Sequence, residues 1–130
     1  MIYLLDTNAV TKVLNQDARF LGRLRRHYAH DIGISAVVTY ELYFGAFKGR
    51  RTSRTMAYID GLAFETVNFN REDARAAAEI RTNLAAVGTP IGPYDILIAG
   101  QTLARDLILI THNTREFSRV QGLRLEDWEA

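Results

Sequence analysis

Four acids in this sequence sit where chemistry is usually done: Asp6, Glu41, Asp95 and Glu116. Asp6 ends the apolar run Ile2-Tyr3-Leu4-Leu5, which reads as a short strand buried on both faces, and it stands where a helix should begin. In open parallel sheets, ligands bind in the crevice beyond the carboxyl ends of the strands. Glu41 lies six residues after Ser35, within the apolar and aromatic helix Val37-Val38-Thr39-Tyr40-Glu41-Leu42-Tyr43-Phe44. An acid there is costly unless it is paired or holds a cation. Asp95 falls in the first turn of a helix beside the breaker Gly88-Thr89-Pro90-Ile91-Gly92-Pro93. Glu116 follows the strand Leu107–Ile110, with Asn113 one turn before it.

Each acid has an ordinary reading as well. Asp6 or Thr7 can cap a helix, and the helix dipole alone favours Asp95 in a first turn. Glu41 can pair with an arginine, and Glu116 can face solvent. Convergence of all four on one crevice is not accounted for in that way. Carboxylates gathered in one pocket repel each other and do not all ionise without a cation. Oxygen donors without Cys or clustered His select a hard ion, Mg²⁺ or Mn²⁺. Such an ion can activate water for attack on phosphorus, so metal-dependent phosphodiester hydrolysis is the matching reaction class.

The elements that must carry these acids alternate. Strands are expected at Ile2–Leu5, Ile32–Ile34, Glu65–Val67 and Leu107–Ile110, with an edge strand at Leu123–Leu125. Between them, helices are expected from Thr7 to about Asn15, Ala18 to Tyr28, Val37 to Phe47 and Thr55 to Leu62. Further helices are expected over Arg71–Val87, Tyr94 to about Arg105 and Thr114–Phe117. Ser35 and Asn70 are natural N-caps, and Pro93 suits a first helical turn. The alternation predicts a parallel sheet covered by helices on both faces, with Trp128 closing over the core.

With 130 residues, 48% hydrophobic and 24% charged, the chain has the length and composition of one soluble domain over residues 1–130. It contains no cysteine, which excludes disulfides, thiolate catalysis and zinc–sulfur sites. No signal-peptide pattern opens it, and no apolar run reaches the roughly 20 residues of a membrane span. A cytoplasmic location is expected. The net charge of +1 implies no polyanionic partner, but basic residues cluster at Arg23–His27, including Arg25 and Arg26, and at Lys48–Arg51, with Arg54 beyond. These clusters are either a nucleic-acid footprint or solvated helix faces. No Gly-x-Gly-x-x-Gly or P-loop is present, and the position that would hold a phosphoaspartate enzyme's second acid is Asn8. His27, His30 and His112 show no metal-ligand spacing. His112 lies beside the expected crevice, with a surface or capping role the simpler reading.

The motifs Leu4-Leu5-Asp6-Thr7-Asn8, Ile34–Ala46 and Pro90–Asp95 resemble those of the PIN-domain family, and more closely the VapC toxins of bacterial toxin–antitoxin pairs. The resemblance continues through Ile98-Ala99-Gly100, Ile110–Val120 and Gly122–Trp128, in order and spacing, so it spans essentially the whole chain. It implies an α/β fold, a PIN-like three-layer α/β/α sandwich with a short, mainly parallel sheet of about five strands. It also implies a Mg²⁺- or Mn²⁺-dependent endoribonuclease in which Asp6, Glu41 and Asp95 bind metal. The fourth position is either Asn113, where many members carry Asp, or Glu116, the acid three residues later. Thr7, Asn8, Thr111 and Asn113 would support the acids or metal-bound waters. Arg25, Arg26, Arg50, Arg51 and Arg54 would grip RNA phosphates. The tail is most similar to relatives that cut initiator tRNA in the anticodon loop. Family members form homodimers and are inhibited by a VapB antitoxin laid across the crevice. The competing readings are a non-catalytic RNA- or antitoxin-binding module, which Asn113 favours, and a DNA-directed PIN nuclease, which the short chain disfavours.

Overall fold

Five short strands form one sheet in the computed structural model of the protein, which describes residues 1–130. They are β1 (Tyr3–Leu5), β2 (Ile32–Ser35), β3 (Glu65–Val67), β4 (Ile108–Ile110) and β5 (Arg124–Glu126). Their spatial order is β3-β2-β1-β4-β5, and every neighbouring pair is parallel. β1 is central: Tyr3, Leu4 and Leu5 pair with Ile32, Gly33 and Ile34 on one side and with Ile108, Leu109 and Ile110 on the other. That position explains the uninterrupted apolar runs, because these strands are covered on both faces. Leu4, Leu5, Ile32, Leu109 and Ile110 have no solvent exposure. The chain steps outward from β1 through β2 to β3, then returns to β4 on the far side of β1. The order therefore reverses between β1 and β4, where doubly wound sheets open a crevice beyond their carboxyl ends.

The helices are α1 (Thr7–Leu14), α2 (Ala18–Leu24), α3 (Ala36–Lys48), α4 (Thr52–Asp60), α5 (Arg71–Ala86), α6 (Pro93–Ala104) and α7 (Thr114–Phe117). Their starts follow local chemistry. Ser35 caps α3 by accepting from the Val37 amide at 3.1 Å, and Asn70 and Asp73 form a reciprocal capping box at the start of α5. α5 stops at Gly88, whose φ of +71° suits glycine. The Gly88 and Thr89 amides donate back to Ala85 and Leu84, a Schellman ending. No helix is long and apolar enough to cross a membrane.

Several boundaries differ from expectation, and three of the differences have a visible cause. α2 ends at Leu24 rather than Tyr28, because His27 leaves the helix to stack on Trp128, with ring centroids 4.7 Å apart, and to meet Tyr3 edge-on. A 3-10 turn, Ala29–Asp31, then delivers β2 and leaves Tyr28 73% exposed. α4 starts at Thr52, three residues early, with its hydroxyl donating to the Gly49 carbonyl. β5 is displaced by one residue, because its pairing with β4 sets Arg124 opposite Ile108. Trp128 does close over the core and is 1% exposed.

α5 and α6 pack most closely where Gly100 meets Ala77: a Cβ on Gly100 would lie 2.6 Å from Ala77 atoms. The same pair of helices holds a polar lock that has no signature in the local sequence. Asp73 is wholly buried and accepts from Gln101 Nε2 at 3.2 Å and from Arg105 Nε and Nη2 at 3.2 and 3.0 Å. Arg105 and Gln101 also donate to the Asn68 carbonyl. This lock fixes α6, and α6 carries Asp95. Replacing Asp73 with Ala removes the capping box and takes from buried Gln101 and from Arg105 the carboxylate they share, so urea denaturation of Asp73→Ala should show a loss of about 2–4 kcal/mol.

Candidate active site

Asp6 leaves β1 with its amide donating to the Ile110 carbonyl of β4 at 3.1 Å, which places it at the reversal point. Its Oδ1 accepts from the Ala9 amide at 2.8 Å, so it caps α1 while sitting in the crevice. The ordinary reading of Asp6 is therefore correct and does not compete with the functional one. The residue is only 4% exposed. Burial pushes its pKa from 3.8 up to about 6; Thr111 and the Ala9 amide pull it back, and the charges of Asp95 and Glu129 add to the rise.

The other three acids face the same space. Glu41, half-buried on α3, accepts from the Thr7 hydroxyl at 2.7 Å. Asp95 stands in the first turn of α6, half-buried, where a Cβ on Gly92 would come within 3.1 Å of Oδ2; glycine there leaves the carboxylate its place. Its pKa is raised, first by burial and then by the charges of Glu41 and Glu116, so all three share one electrostatic neighbourhood. Glu116 stands on α7, which buried Phe117 anchors, and its Oε2 accepts from the Asn113 side-chain amide at 3.0 Å. Asn113 in turn donates its backbone amide to the buried Thr111 hydroxyl at 2.9 Å.

Thr7, Thr111 and Asn113 thus touch or steady the acids, whereas Asn8 is exposed on α1 and makes no side-chain hydrogen bond to them. None of the protein's ion pairs includes Asp6, Glu41, Asp95 or Glu116. No three of the four bring carboxylate oxygens within 4.8 Å of one another, so the quartet is gathered but not collapsed. An oxygen-only set of partly buried, mutually repelling carboxylates without a basic partner is the donor chemistry of a hard divalent cation.

The basic clusters separate. Arg51 and Arg54 line a cleft of about 470 Å³ between α1, α3 and α4 whose opposite wall holds Thr7 and Glu41; Arg50 is exposed beside them. Arg25 and Arg26 instead adjoin His27, which packs on Tyr3 at the start of β1, the opposite end of the sheet from Asp6. A cluster that sequence spacing gave no hint of joins His112, Asp127 and Glu129. His112 Nδ1 lies 2.9 Å from Asp127, which raises the imidazole pKa, and Lys12 reaches Glu129 at 3.4 Å. These pairs carry their own cations and tie the C-terminal tail to α1. His112 is therefore a tether.

A PIN-domain family model matches residues 3–123. The tRNA(fMet)-specific endonuclease VapC of Shigella flexneri is 38% identical over 129 residues, covering 97% of each chain, and its Salmonella typhimurium counterpart is 35% identical over the same span. Among solved structures, DNA-bound VapBC from Salmonella typhimurium superposes with a TM-score of 0.92 at 34% identity, covering 98% of both chains. VapBC2 from Rickettsia felis, bound to a promoter DNA fragment, gives 0.87 at 32% identity over 98% and 99%. The chain belongs to the PIN-domain family and, within it, to the VapC group.

Asp6 supplies a pH test. The folded protein holds the Asp6 proton more tightly than the unfolded chain, so this group lowers stability as pH rises from 3.8 through about 6. Asp6→Asn keeps an N-cap acceptor and removes the charge. In EDTA at pH 8 it should be more stable than the parent by about 1–3 kcal/mol in urea, with the gain vanishing near pH 4.

Proposed function

We propose that the protein is the toxin of a VapBC-type toxin–antitoxin module, a divalent-metal-dependent endoribonuclease that hydrolyses RNA phosphodiester bonds. The observation that carries this reading is the quartet itself: Asp6, Glu41, Asp95 and Glu116 arrive from four different elements at one crevice, and no basic side chain pairs with any of them. Mg²⁺ or Mn²⁺ is the cofactor that suits these donors. Asp6, Glu41, Asp95 and Glu116 would hold such an ion, which would supply an activated water and offset charge developing on the phosphate. The chain's own part is to hold the carboxylates in place. The Ala9 amide fixes Asp6, the Thr7 hydroxyl fixes Glu41, and Asn113 fixes Glu116.

Glu116 supplies the fourth acid in this reading, and Asn113 acts as its support. That removes the reason for a non-catalytic module, since Asn113 does not leave the site short of a carboxylate. The substrate we favour is initiator tRNA, supported by the names of the Shigella and Salmonella relatives. A VapB-type antitoxin is the expected inhibitor, supported by the VapBC complexes that superpose on this chain, and the family resemblance leads us to expect a homodimer in solution.

The test is cleavage of a total tRNA pool with Mg²⁺, with Mn²⁺ and with EDTA. A discrete cut that requires metal and disappears in Asp6→Ala and Asp95→Ala is expected. Asn113→Ala should lower the rate about 10- to 100-fold, as removal of a group that orients a ligand does. Glu116→Gln should cost more than Asn113→Ala; the reverse order would return the fourth position to Asn113. RNA binding with no metal-dependent cut, in protein free of antitoxin, would sink the enzyme reading.

A further inference from the structure

We propose that the cleft between α3 and α4 is the track for RNA phosphates flanking the scissile one, with Arg51 and Arg54 as its cationic wall. The inference rests on the ribonuclease reading and adds a direction to it: the substrate strand leaves the acids across α4.

Electrostatics require some such wall. Four carboxylates repel a polyanion, and a strand can approach them only if cations nearby hold its neighbouring phosphates. Arg51 and Arg54 share a cleft of about 470 Å³ with Thr7 and Glu41, so the cleft runs from these arginines to the Glu41 side of the quartet. Neither enters an ion pair with the protein's own acids.

Arg54 is also held in position. Its guanidinium lies over the Tyr58 ring, 5.6 Å from the centroid, and its Nε donates to the Tyr58 hydroxyl at 3.2 Å. Tyr58 lies one turn further along α4 and lines the same cleft. The contact uses Nε and leaves both terminal nitrogens free, the fork that suits a phosphate. Holding the side chain before binding reduces the entropy given up when the phosphate docks. Arg25 and Arg26, at the opposite end of the sheet, have no such relation to the acids.

The experiment measures binding of bulk tRNA in EDTA across a NaCl series, beside steady-state cleavage in Mg²⁺. Arg51→Ala/Arg54→Ala is compared with the parent, with Arg25→Ala/Arg26→Ala, and with the α5 surface pair Arg71→Ala/Arg75→Ala. Each single-strand phosphate that no longer meets an arginine should flatten the log K against log salt slope by about 0.7, so the cleft variant should flatten it by about 1.4. KM should rise about ten-fold or more with kcat at saturation little changed, while the α5 pair behaves as the parent. Tyr58→Phe should retain the ring's share and Tyr58→Ala should lose it.

An unchanged slope in the cleft variant overturns the track, as does an equal or larger loss in Arg25→Ala/Arg26→Ala. An unchanged RNA slope with weakened antitoxin binding would assign the cleft to a protein partner instead. Failure of the parent to make any metal-dependent cut would overturn the ribonuclease reading separately, since the salt slopes are read without cleavage.

Discussion

Repulsion among Asp6, Glu41, Asp95 and Glu116 is the constraint on which the rest of the structure depends. Carboxylates gathered in a partly buried crevice favour separation or protonation, and the raised pKa values of Asp6 and Asp95 record burial first and like charge second. They stay together because each is fixed to something rigid that has a separate reason to be where it is. Asp6 is held by a strand register and a helix cap, and Glu41 by a helix that Ser35 starts and a hydroxyl from α1. Asp95 rides on α6, which the Asp73–Arg105–Gln101 lock fastens to α5 on the far side from the acids. The cost of gathering these charges is thus offset by packing and hydrogen bonds elsewhere, a common arrangement at functional sites.

The sheet order makes the gathering possible with very little chain. Strands of three or four residues leave no room for error in where each carboxyl end lies, and parallel pairing in one register sets Leu5, Ile34 and Ile110 level. The next residue in the chain after each of them is then presented at one edge: Asp6, Thr111, and Ser35, which starts the helix that carries Glu41. The reversal between β1 and β4 keeps the space beyond them open. A hydroxyl or amide next to each of Asp6, Glu41 and Glu116 completes the arrangement, so the strand ends provide both charges and the groups that orient them.

Much of this was legible in the residues. Apolar runs marked the strands, Ser35, Asn70 and Pro93 marked helix starts, and the four acids stood out by position. The features that escaped the sequence are set by contacts across long separations. α2 stops short because His27 is captured by Trp128, a hundred residues away in the chain, and helical periodicity alone carries no sign of that competition. Asp73 reads as one more acid in a polar helix start, yet it is wholly buried because Arg105 and Gln101 come to it from α6. Runs of arginine look equivalent in sequence, and only the topology places Arg51 and Arg54 beside Glu41 while sending Arg25 and Arg26 to the other end.

Asn113 shows why a motif position and a role can part company. Read as a motif residue, it is a missing carboxylate and an argument for lost activity. Its side chain instead donates to Glu116 and its backbone to Thr111, so an amide there orients an acid that comes from one turn later. An aspartate at that position would be an acceptor facing an acceptor, adding a further like charge to a crevice in which Asp6 and Asp95 already have raised pKa values. The amide is therefore matched to Glu116. The physical unit is the pair Asn113–Glu116, in which one residue keeps the charge and the other directs it.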